Sequence, residues 1–178
     1  KGKGYLQFDS NIWFYDPADK RFTFSSVRDK FQNTNANTSD FAPQLYVQDY
    51  SIESFEDVKL GKFNCILYTL QATSKNVAYP EIKIWVSKDD GLMRKREDYS
   101  LSKKRLRTIA VPSYQKIFNG KKEYSIPVNM MIQDHLRGKK INDKVEYEKT
   151  VISISNVVFY KVDDMVYTKP YLEMMSVK

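Results

Sequence analysis

The chain has 178 residues, of which 42% are hydrophobic and 29% charged, with 29 Lys and Arg against 22 Asp and Glu. This length favours one domain over residues 1–178 with a core large enough to need no covalent staples. A single cysteine and a single histidine exclude an internal disulfide, a cysteine-based zinc site and a multi-histidine metal site, and no apolar run approaches the roughly 18 residues of a membrane-spanning helix.

The first 25 residues predict an antiparallel meander. Apolar runs at 5–8 and 12–15 are separated by the turn-forming residues 9–11. Residues 16–19, with the sequence Asp-Pro-Ala-Asp, predict a turn because proline presets φ and Asp can bond its own backbone. Residues 21–25 then alternate polar and aromatic side chains, as a half-buried strand does.

Residues 26–50 predict irregular structure with one or two short helices. A polar stretch rich in turn formers lies between Phe31 and Phe41. Ser39 or Asp40 is a candidate cap for a helix through Phe41 and Tyr46, with proline allowed only in its first turn. Long connections of this kind are often lids or binding loops.

The middle of the chain predicts strands. Residues 63–72 are almost continuously apolar, which predicts a central strand covered on both faces. Residues 81–86 alternate, and 89–91 form a hairpin turn signal. Residues 92–99 carry many charges, so we expect one face of that strand, or an edge, to meet water. Further strands are expected at 105–111 and 114–118.

The last third predicts more strands and a docked tail. Asn119-Gly120 is a hairpin signal, and apolar residues at alternate positions from 124 to 132 predict one strand face. A turn is expected at 137–140, and residues 145–154 predict a strand with a bulge near 149. The total of nine or ten strands, with little helix, is typical of an antiparallel sandwich or barrel.

No residue pattern supports catalysis, so we expect no enzyme activity, no cofactor and no metal. Cys65 lies inside an apolar strand and is interpreted as a buried small hydrophobe. Asp134 and His135 are neighbours on a strand and point to opposite faces, so they cannot pair with each other. The chain has no phosphate-binding glycine loop.

The basic surplus gathers in residues 94–96 and 103–107, which a hairpin would bring together. A basic face with nearby aromatics could bind single-stranded nucleic acid, an anionic membrane surface or an acidic partner. A solvated face with interspersed acidic residues is the plainer interpretation. The aromatic and aliphatic surplus is also open to two interpretations, namely a large core or an apolar cavity enclosed by a curved sheet.

Four segments resemble one protein family. Residues 11–17, with the sequence Asn-Ile-Trp-Phe-Tyr-Asp-Pro, resemble the LWFYNP-type hairpin of the LolA-like periplasmic lipoprotein carriers. Residues 79–86, 97–102 and 167–173 resemble a branch of that family known as outer membrane lipoprotein-sorting proteins. The likeness extends over essentially the whole chain.

This resemblance implies a mainly β fold, in which a strongly curved antiparallel sheet forms an incomplete, half-open β-barrel with short lid helices over an apolar cavity. Family members begin with a helix and several strands before the segment that matches residues 1–5. We therefore expect this single LolA-like domain to lack those elements, and we assign no counterpart of the functional arginine that the carriers have there.

The resemblance implies a periplasmic, non-enzymatic carrier that shelters acyl chains of lipoproteins, or another lipid, with an inner-membrane transporter and an outer-membrane acceptor as candidate partners and with no nucleic acid. The expected lining comes from alternate strand positions, although sequence does not fix which parity faces the cavity. The candidates are Trp13, Phe14, Phe22, Phe24, Ile82, Ile84, Val86 and Met130.

The alternative is a non-transporting sensor or protein-interaction domain on the same scaffold, with oligomeric state open in both cases. Its partner would bind a basic face made by Arg94, Arg96, Arg105 and Arg107.

Overall fold

The computed structural model describes residues 2–8, 11–75 and 77–177, which form twelve strands in three antiparallel sheets. The first sheet is the predicted meander, with the order β1 (Gly4–Phe8), β2 (Asn11–Asp16) and β3 (Arg21–Ser25). The turn after β2 is closed by Asp16, whose side chain accepts from Ala18 N and whose carbonyl accepts from Lys20 N. The predicted turn before β2 includes Asp9 and Ser10, which lie outside the described residues.

A seven-stranded antiparallel sheet forms the centre of the molecule. Its strands in chain order are β4 (Tyr50–Leu60), β5 (Phe63–Ala72), β6 (Glu81–Ser87), β7 (Met93–Tyr99), β8 (Arg105–Ala110), β11 (Asn129–Ile141) and β12 (Lys144–Ser153), and β9 (Tyr114–Asn119) and β10 (Lys122–Pro127) make a separate hairpin. The spatial order is β12-β11-β8-β7-β6-β5-β4. In the part of the chain that is described, β4 and β12 do not pair with each other, so the sheet is not closed into a barrel. The mainly β class is confirmed, and strong curvature stays a prediction.

The charged strand β7 is central in the sheet, whereas its composition predicted that one face of it, or an edge, would meet water. It pairs with β6 on one side and β8 on the other, and Arg94, Arg96, Glu97 and Asp98 are all buried. A charged side chain is expected at the surface only when the fold offers no oppositely charged group to pair with it. Here neighbouring strands and residues 26–50 supply opposite charges, which makes burial tolerable.

Three other predictions for the last third of the chain differ from the structure in position. The apolar alternation over residues 124–132 is split between β10 and β11, which lie in different sheets. The turn expected at 137–140 lies inside β11, and the chain reverses at Asn142 and Asp143, both of which have positive φ. Asn and Asp tolerate that conformation, which suits a two-residue hairpin. The irregularity expected near 149 is found next to the pair Gln133–Lys149, but the extra residues lie on β11, between Gln133 and Gly138, and not on β12.

Strands β4 and β5 also differ from the sequence predictions. The sequence interpretation missed β4, whose residues are almost all exposed and so lack an apolar period. Because β4 lies at the sheet edge, β5 is second from the edge, and only Cys65 and Leu70 on it are buried. The expectation that this strand is covered on both faces is therefore wrong.

Residues 26–50, called the covering segment below, lie over one face of the large sheet. They hold a 3-10 turn at Thr38–Phe41 and the four-residue helix α1 (Tyr46–Asp49). The single helix expected through Phe41 and Tyr46 is interrupted, because Ala42, which precedes a proline, is extended with ψ 157°. The cap is Asn37, whose backbone N donates to Asp40 Oδ2 at 2.8 Å.

The covered face, called the inner face, carries two core clusters. The first contains Leu70, Ile82 and Ile84 with Tyr79, and Val27 and Tyr46 of the covering segment pack against it. The second contains Ile109, Val111 and Ile132 with Ala36 of the covering segment. Both clusters bury apolar surface between the sheet and the covering segment, which positions that segment over β5 to β11.

The C-terminal tail is docked, as predicted, and forms helix α2 (Lys169–Val177) after a 3-10 turn at Asp164–Tyr167. Helix α2 packs on the first sheet so closely that a Cβ on Gly4 would lie 2.4 Å from Leu172 Cδ1. In the ranges described, we find no helix with the length and apolarity needed to cross a membrane.

Cys65 is fully buried on β5, which confirms its interpretation as a small core residue. Burial raises the pKa of its thiol, with the charge of Arg94 acting in the opposite direction. Because the thiolate is the reactive form, we expect iodoacetamide to label native protein at least about a hundredfold more slowly than protein in urea. Mass spectrometry of quenched samples measures both rates, and equal rates would contradict the buried position.

Candidate ligand-binding site

An apolar cavity of about 450 Å³ lies between helix α1 and strands β4 to β7. This volume falls within the range of small-molecule pockets in proteins, about 300–1,000 Å³. Its wall consists of aliphatic and tyrosine side chains and one glycine. The lining residues are Tyr46, Val47, Tyr50, Ile52, Tyr68, Leu70, Ile84, Val86, Gly91 and Met93.

Strand register explains why these side chains meet. Tyr68 on β5 is opposite Ile84 on β6, and Val86 on β6 is opposite Met93 on β7. Side chains at every second position of a strand share one face, so Tyr68 and Leu70 point the same way, as do Ile84 and Val86. The inner face is therefore apolar over β4 to β6, and helix α1 adds Tyr46 and Val47 at its margin.

The same face becomes charged at β7 and β8. Arg96 is opposite Ile84, and Asp98 is opposite both Ile82 and Arg107. Arg96 Nε donates to Asp98 Oδ1 at 2.5 Å, and Arg107 Nε donates to Asp98 Oδ2 at 2.6 Å. Asp98 is 0% exposed, so one buried carboxylate joins two buried guanidinium groups.

This buried network holds the covering segment against the sheet. Arg107 Nη1 donates to Asp40 Oδ2 at 2.8 Å, and Arg96 Nη1 donates to Gln44 Oε1 at 2.8 Å and to the hydroxyl of Tyr46 at 3.3 Å. Lys30 makes a further ion pair with Asp134 at 2.6 Å. Because Tyr46 also lines the cavity, the network fixes one wall of the apolar site.

The charges of the network balance. Burial lowers the pKa of the Arg107 guanidinium, but hydrogen bonding to Asp40 and the charge of Asp98 raise it by more. Burial likewise opposes the charge on Arg96, and Asp98 raises the pKa of Arg96 above its usual value. Both arginines therefore stay charged, and Asp40 and Asp98 offset them within the fold.

Tyr79 packs against the buried network and is itself nearly fully buried. Its hydroxyl accepts from Asn37 Nδ2 at 2.6 Å, and Arg107 lies 5.0 Å from its ring centre. Burial raises the pKa of Tyr79 to about 12, although the charge of Arg107 lowers it in part.

A stability loss at alkaline pH follows from Tyr79. Because its pKa is higher in the folded than in the unfolded chain, where it is about 10, its contribution is complete below pH about 10 and is lost as pH rises towards 12. We expect the free energy of unfolding to fall by about 1.4 kcal/mol from this group between pH about 9 and about 11. Urea denaturation across that range measures it, and Tyr79→Phe should fall less steeply than wild type by that amount. Equal slopes would contradict the assignment.

The structure places the eight predicted lining residues in three different regions. Ile84 and Val86 line the cavity. Ile82 lies beside it in the first core cluster, and Met130 packs against the second. The remaining four lie on the first sheet and do not reach the cavity. They are Trp13, Phe14, Phe22 and Phe24.

The aromatic residues of the first sheet have other neighbours. Lys169 Nζ of α2 lies 3.4 Å from the ring centre of Trp13 and 5.1 Å from that of Phe22. Phe14 stacks with Tyr5 at 5.0 Å, and Phe24 is 63% exposed. These side chains therefore dock the C-terminal helix, pack within the first sheet or meet water, which corrects their predicted place in one cavity with the β6 residues.

The sequence interpretation missed the lining residues on α1, β4, β5 and β7, of which Tyr46, Tyr50 and Tyr68 contribute the rings. A signal existed on β5, because 66, 68 and 70 share one face and pair with 86, 84 and 82. Its continuous apolar character concealed that alternation.

The predicted basic face needs correction. Arg96 and Arg107 are 5% and 4% exposed, and both are used in the network. Arg94 is also buried, pairs with Asp90 and lies 4.3 Å from the ring centre of Phe63. Arg105 alone of the four is exposed, and it pairs with Glu97. Charged residues usually lie at the surface, which is why the sequence predicts a basic face here. In the structure a partner cannot bind through these four arginines as one exposed face.

The chemistry of the cavity suits binding by burial. Across residues 2–8, 11–75 and 77–177, no group of three or more His, Cys, Asp or Glu residues could hold a metal ion. Tyrosine hydroxyls supply the few polar groups of the wall, and that of Tyr50 donates to Tyr79 O at 2.9 Å. Such a wall favours an apolar ligand without strong polar readout.

Sequence comparison identifies a family. The model of a protein family described as "Uncharacterized protein" matches residues 1–174. A search of curated proteins returned no match to the sequence.

Solved structures with the same fold include three similar chains. A LolA superfamily protein from Nitrosomonas europaea has a TM-score of 0.75 and 18% identity, and the match covers 96% of this chain and 72% of that one. A putative outer membrane lipoprotein-sorting protein domain from Vibrio parahaemolyticus has a TM-score of 0.68 and 18% identity, over 92% of this chain and 66% of the other. A DUF1329 family protein from Desulfovibrio piger has a TM-score of 0.73 and 20% identity, over 94% and 66%. The chain thus spans just under two thirds of the length of the last two.

Proposed function

We propose that the chain is a periplasmic carrier that shelters an acyl chain of a lipoprotein or a similar lipid. The chain belongs to the family whose model matches residues 1–174. It has the fold of the LolA superfamily. The observation that carries this proposal is the apolar cavity of about 450 Å³ beside helix α1. The carrier needs no catalytic residue, because its work is to keep a hydrocarbon chain out of water.

The energetics support a cavity of this kind. Each methylene that leaves water is worth about 0.8 kcal/mol, so six buried methylenes contribute about 5 kcal/mol. An acyl chain does not leave a membrane for water unless a protein surface replaces that contribution. Aliphatic side chains such as Ile84, Val86 and Leu70 supply a matching apolar wall, and flexible Met93 adapts to chains of different shape.

The covering segment is the proposed lid. It carries Tyr46 and Val47 at the cavity margin, and Val47 is almost fully exposed. Its attachment to the inner face through Asp40, Gln44 and Tyr46 is polar and directional, whereas the cavity wall below is apolar. Loading would move α1 without disturbing the sheet, since the helix has only four residues and its backbone hydrogen bonds are few.

The experiment is ligand identification followed by titration. Purified full-length chain is extracted with organic solvent, and released lipids are identified by mass spectrometry. Delipidated protein is then titrated with a fluorescent fatty acid, for which we expect saturable binding with one site per chain. Absence of saturable binding by correctly folded protein would overturn the proposal.

The partners follow from the same proposal. A carrier of acyl chains receives its ligand from one membrane and releases it at another, so an inner-membrane transporter and an outer-membrane acceptor are the proposed partners. The name of the Vibrio parahaemolyticus neighbour, a lipoprotein-sorting protein domain, supports this assignment at the level of the fold.

A further inference from the structure

A second cavity adjoins the apolar one and is more polar. Its volume is about 290 Å³, and it shares Tyr46 and Tyr50 with the first cavity. The two rings lie 6.3 Å apart, edge to face, and form the partition between the cavities. A ligand whose chain fills the apolar cavity would therefore have its other end beside these two tyrosines.

The second cavity offers hydrogen-bonding groups that the first lacks. The hydroxyl of Ser39 is buried and has no hydrogen-bond partner among the described residues. Arg96, itself 5% exposed, also lines this cavity, as do Gln44 and Asp49. A buried polar group without a partner costs free energy, so a ligand atom that bonds the Ser39 hydroxyl would be stabilising.

The charges around this cavity disfavour an anion. Arg96 is already neutralised by Asp98, and its Nη1 is occupied by Gln44 and Tyr46. Asp49 has no cation within ion-pair distance in the part of the chain that is described. Asp49 is therefore the charge on this wall that no ion pair offsets, and a second carboxylate or a phosphate placed beside it would meet repulsion.

We infer that this second cavity receives the uncharged, hydroxyl-bearing head of the ligand, so that the preferred ligand is an acylglycerol and not a free fatty acid. A hydroxyl both donates and accepts, and so it can bond the carboxylate of Asp49 and the hydroxyl of Ser39 together. This inference rests on the proposed function, because it takes the chain of the same ligand to lie in the apolar cavity.

The test compares two ligands with the same chain and different heads. 1-Monolauroylglycerol and laurate each displace the apolar fluorescent probe 1-N-phenylnaphthylamine from delipidated full-length protein at a pH where laurate is ionised. The readout is the ratio of the two dissociation constants, measured in wild type and in variants. This ratio cancels any general change in the apolar cavity.

Three variants give distinct expectations. Asp49→Asn should strengthen laurate binding about fivefold and leave monolauroylglycerol nearly unchanged, since it removes the like charge. Ser39→Ala should weaken monolauroylglycerol about threefold to fivefold without affecting the probe. Glu56→Gln, an exposed acidic residue on β4 outside both cavities, is the matched control and should leave the ratio unchanged.

The outcomes separate the inference from the proposed function. A ratio that is the same in wild type, Asp49→Asn and Ser39→Ala, with both ligands still bound, would overturn the head assignment and leave the carrier intact. If neither lipid displaces the probe from folded protein, the carrier proposal fails and the inference fails with it. An Asp49→Asn effect equal to that of Glu56→Gln would also count against it, because it would reflect general charge only.

Discussion

Replacing Asp98 with alanine is expected to lower the free energy of unfolding by about 3–5 kcal/mol, the cost of removing one member of a buried ion-pair network. Asp98 has no solvent contact and accepts from both Arg96 and Arg107. Its loss leaves two guanidinium groups buried with one carboxylate, that of Asp40, within reach. Neither arginine can escape by losing its proton, since its pKa stays far above neutral.

Urea denaturation monitored by circular dichroism measures this effect as a lower midpoint with an unchanged slope. The matched control is Glu97→Gln, the neighbouring residue on β7, which is also buried but pairs with the more exposed Lys95 and Arg105. Because water can solvate those two cations, we expect a loss of only about 1 kcal/mol. Equal losses in the two variants would show that Asp98 has no special place in the network.

The same network explains why the middle of the sheet could not be predicted from sequence. The sequence of β7 is dense in charge, and composition alone places such a strand at an edge or towards water. The buried Asp98 of this strand is matched by Arg107 on β8, which in turn pairs with Asp40, 67 positions away in sequence. No local pattern connects Arg107 with Asp40. Sequence periodicity reports the polarity of a residue, whereas burial depends on whether a distant partner is brought into contact.

Turn and strand patterns in the sequence correctly predicted the elements that are formed by residues close together in the chain. The meander of β1 to β3 was predicted from two turns, and the hairpin of β9 and β10 from Asn119-Gly120. Strand β4 was missed because it lies at an edge with few buried residues. An exposed strand gains most of its stability from backbone pairing with β5, which leaves little trace in the choice of side chains.

The candidate site was predicted only in part for a related reason. Alternation on β6 correctly grouped Ile82, Ile84 and Val86 on one face, and two of these line the cavity. An excess of aromatic residues in the composition does not show which sheet those side chains line. The sequence prediction therefore placed the aromatic residues of β2 and β3 in the same cavity. Their sheet is separate from the large one, and that separation is a tertiary fact which strand patterns do not contain.

The cavity and the network are coupled through Tyr46. Its ring lines the apolar site, and its hydroxyl accepts from Arg96. A ligand that moves this ring must weaken that hydrogen bond, so ligand binding and attachment of the covering segment draw on the same contacts. We therefore regard the polar half of the inner face as the element that limits how far the apolar half can open.

Val86→Trp is expected to weaken binding of a fluorescent fatty acid about tenfold to hundredfold while the fold is retained. Val86 is only partly buried and projects into the cavity from β6, so the larger ring has space to enter it. An indole there would exclude two or three methylenes of the ligand, and each is worth about 0.8 kcal/mol. Fluorescence titration of delipidated protein measures the change.

The matched control for Val86→Trp is Lys83→Trp, on the same strand but on the opposite face, where Lys83 lies 5.4 Å from the ring centre of Tyr99. This variant introduces the same indole without entering the cavity, so its affinity should match wild type. Unfolding midpoints of both variants establish that each is folded before titration. An indole at position 86 cannot share the cavity with the whole acyl chain of the fatty acid. If Val86→Trp bound the fatty acid as tightly as Lys83→Trp, the acyl chain would therefore have to lie elsewhere on the molecule.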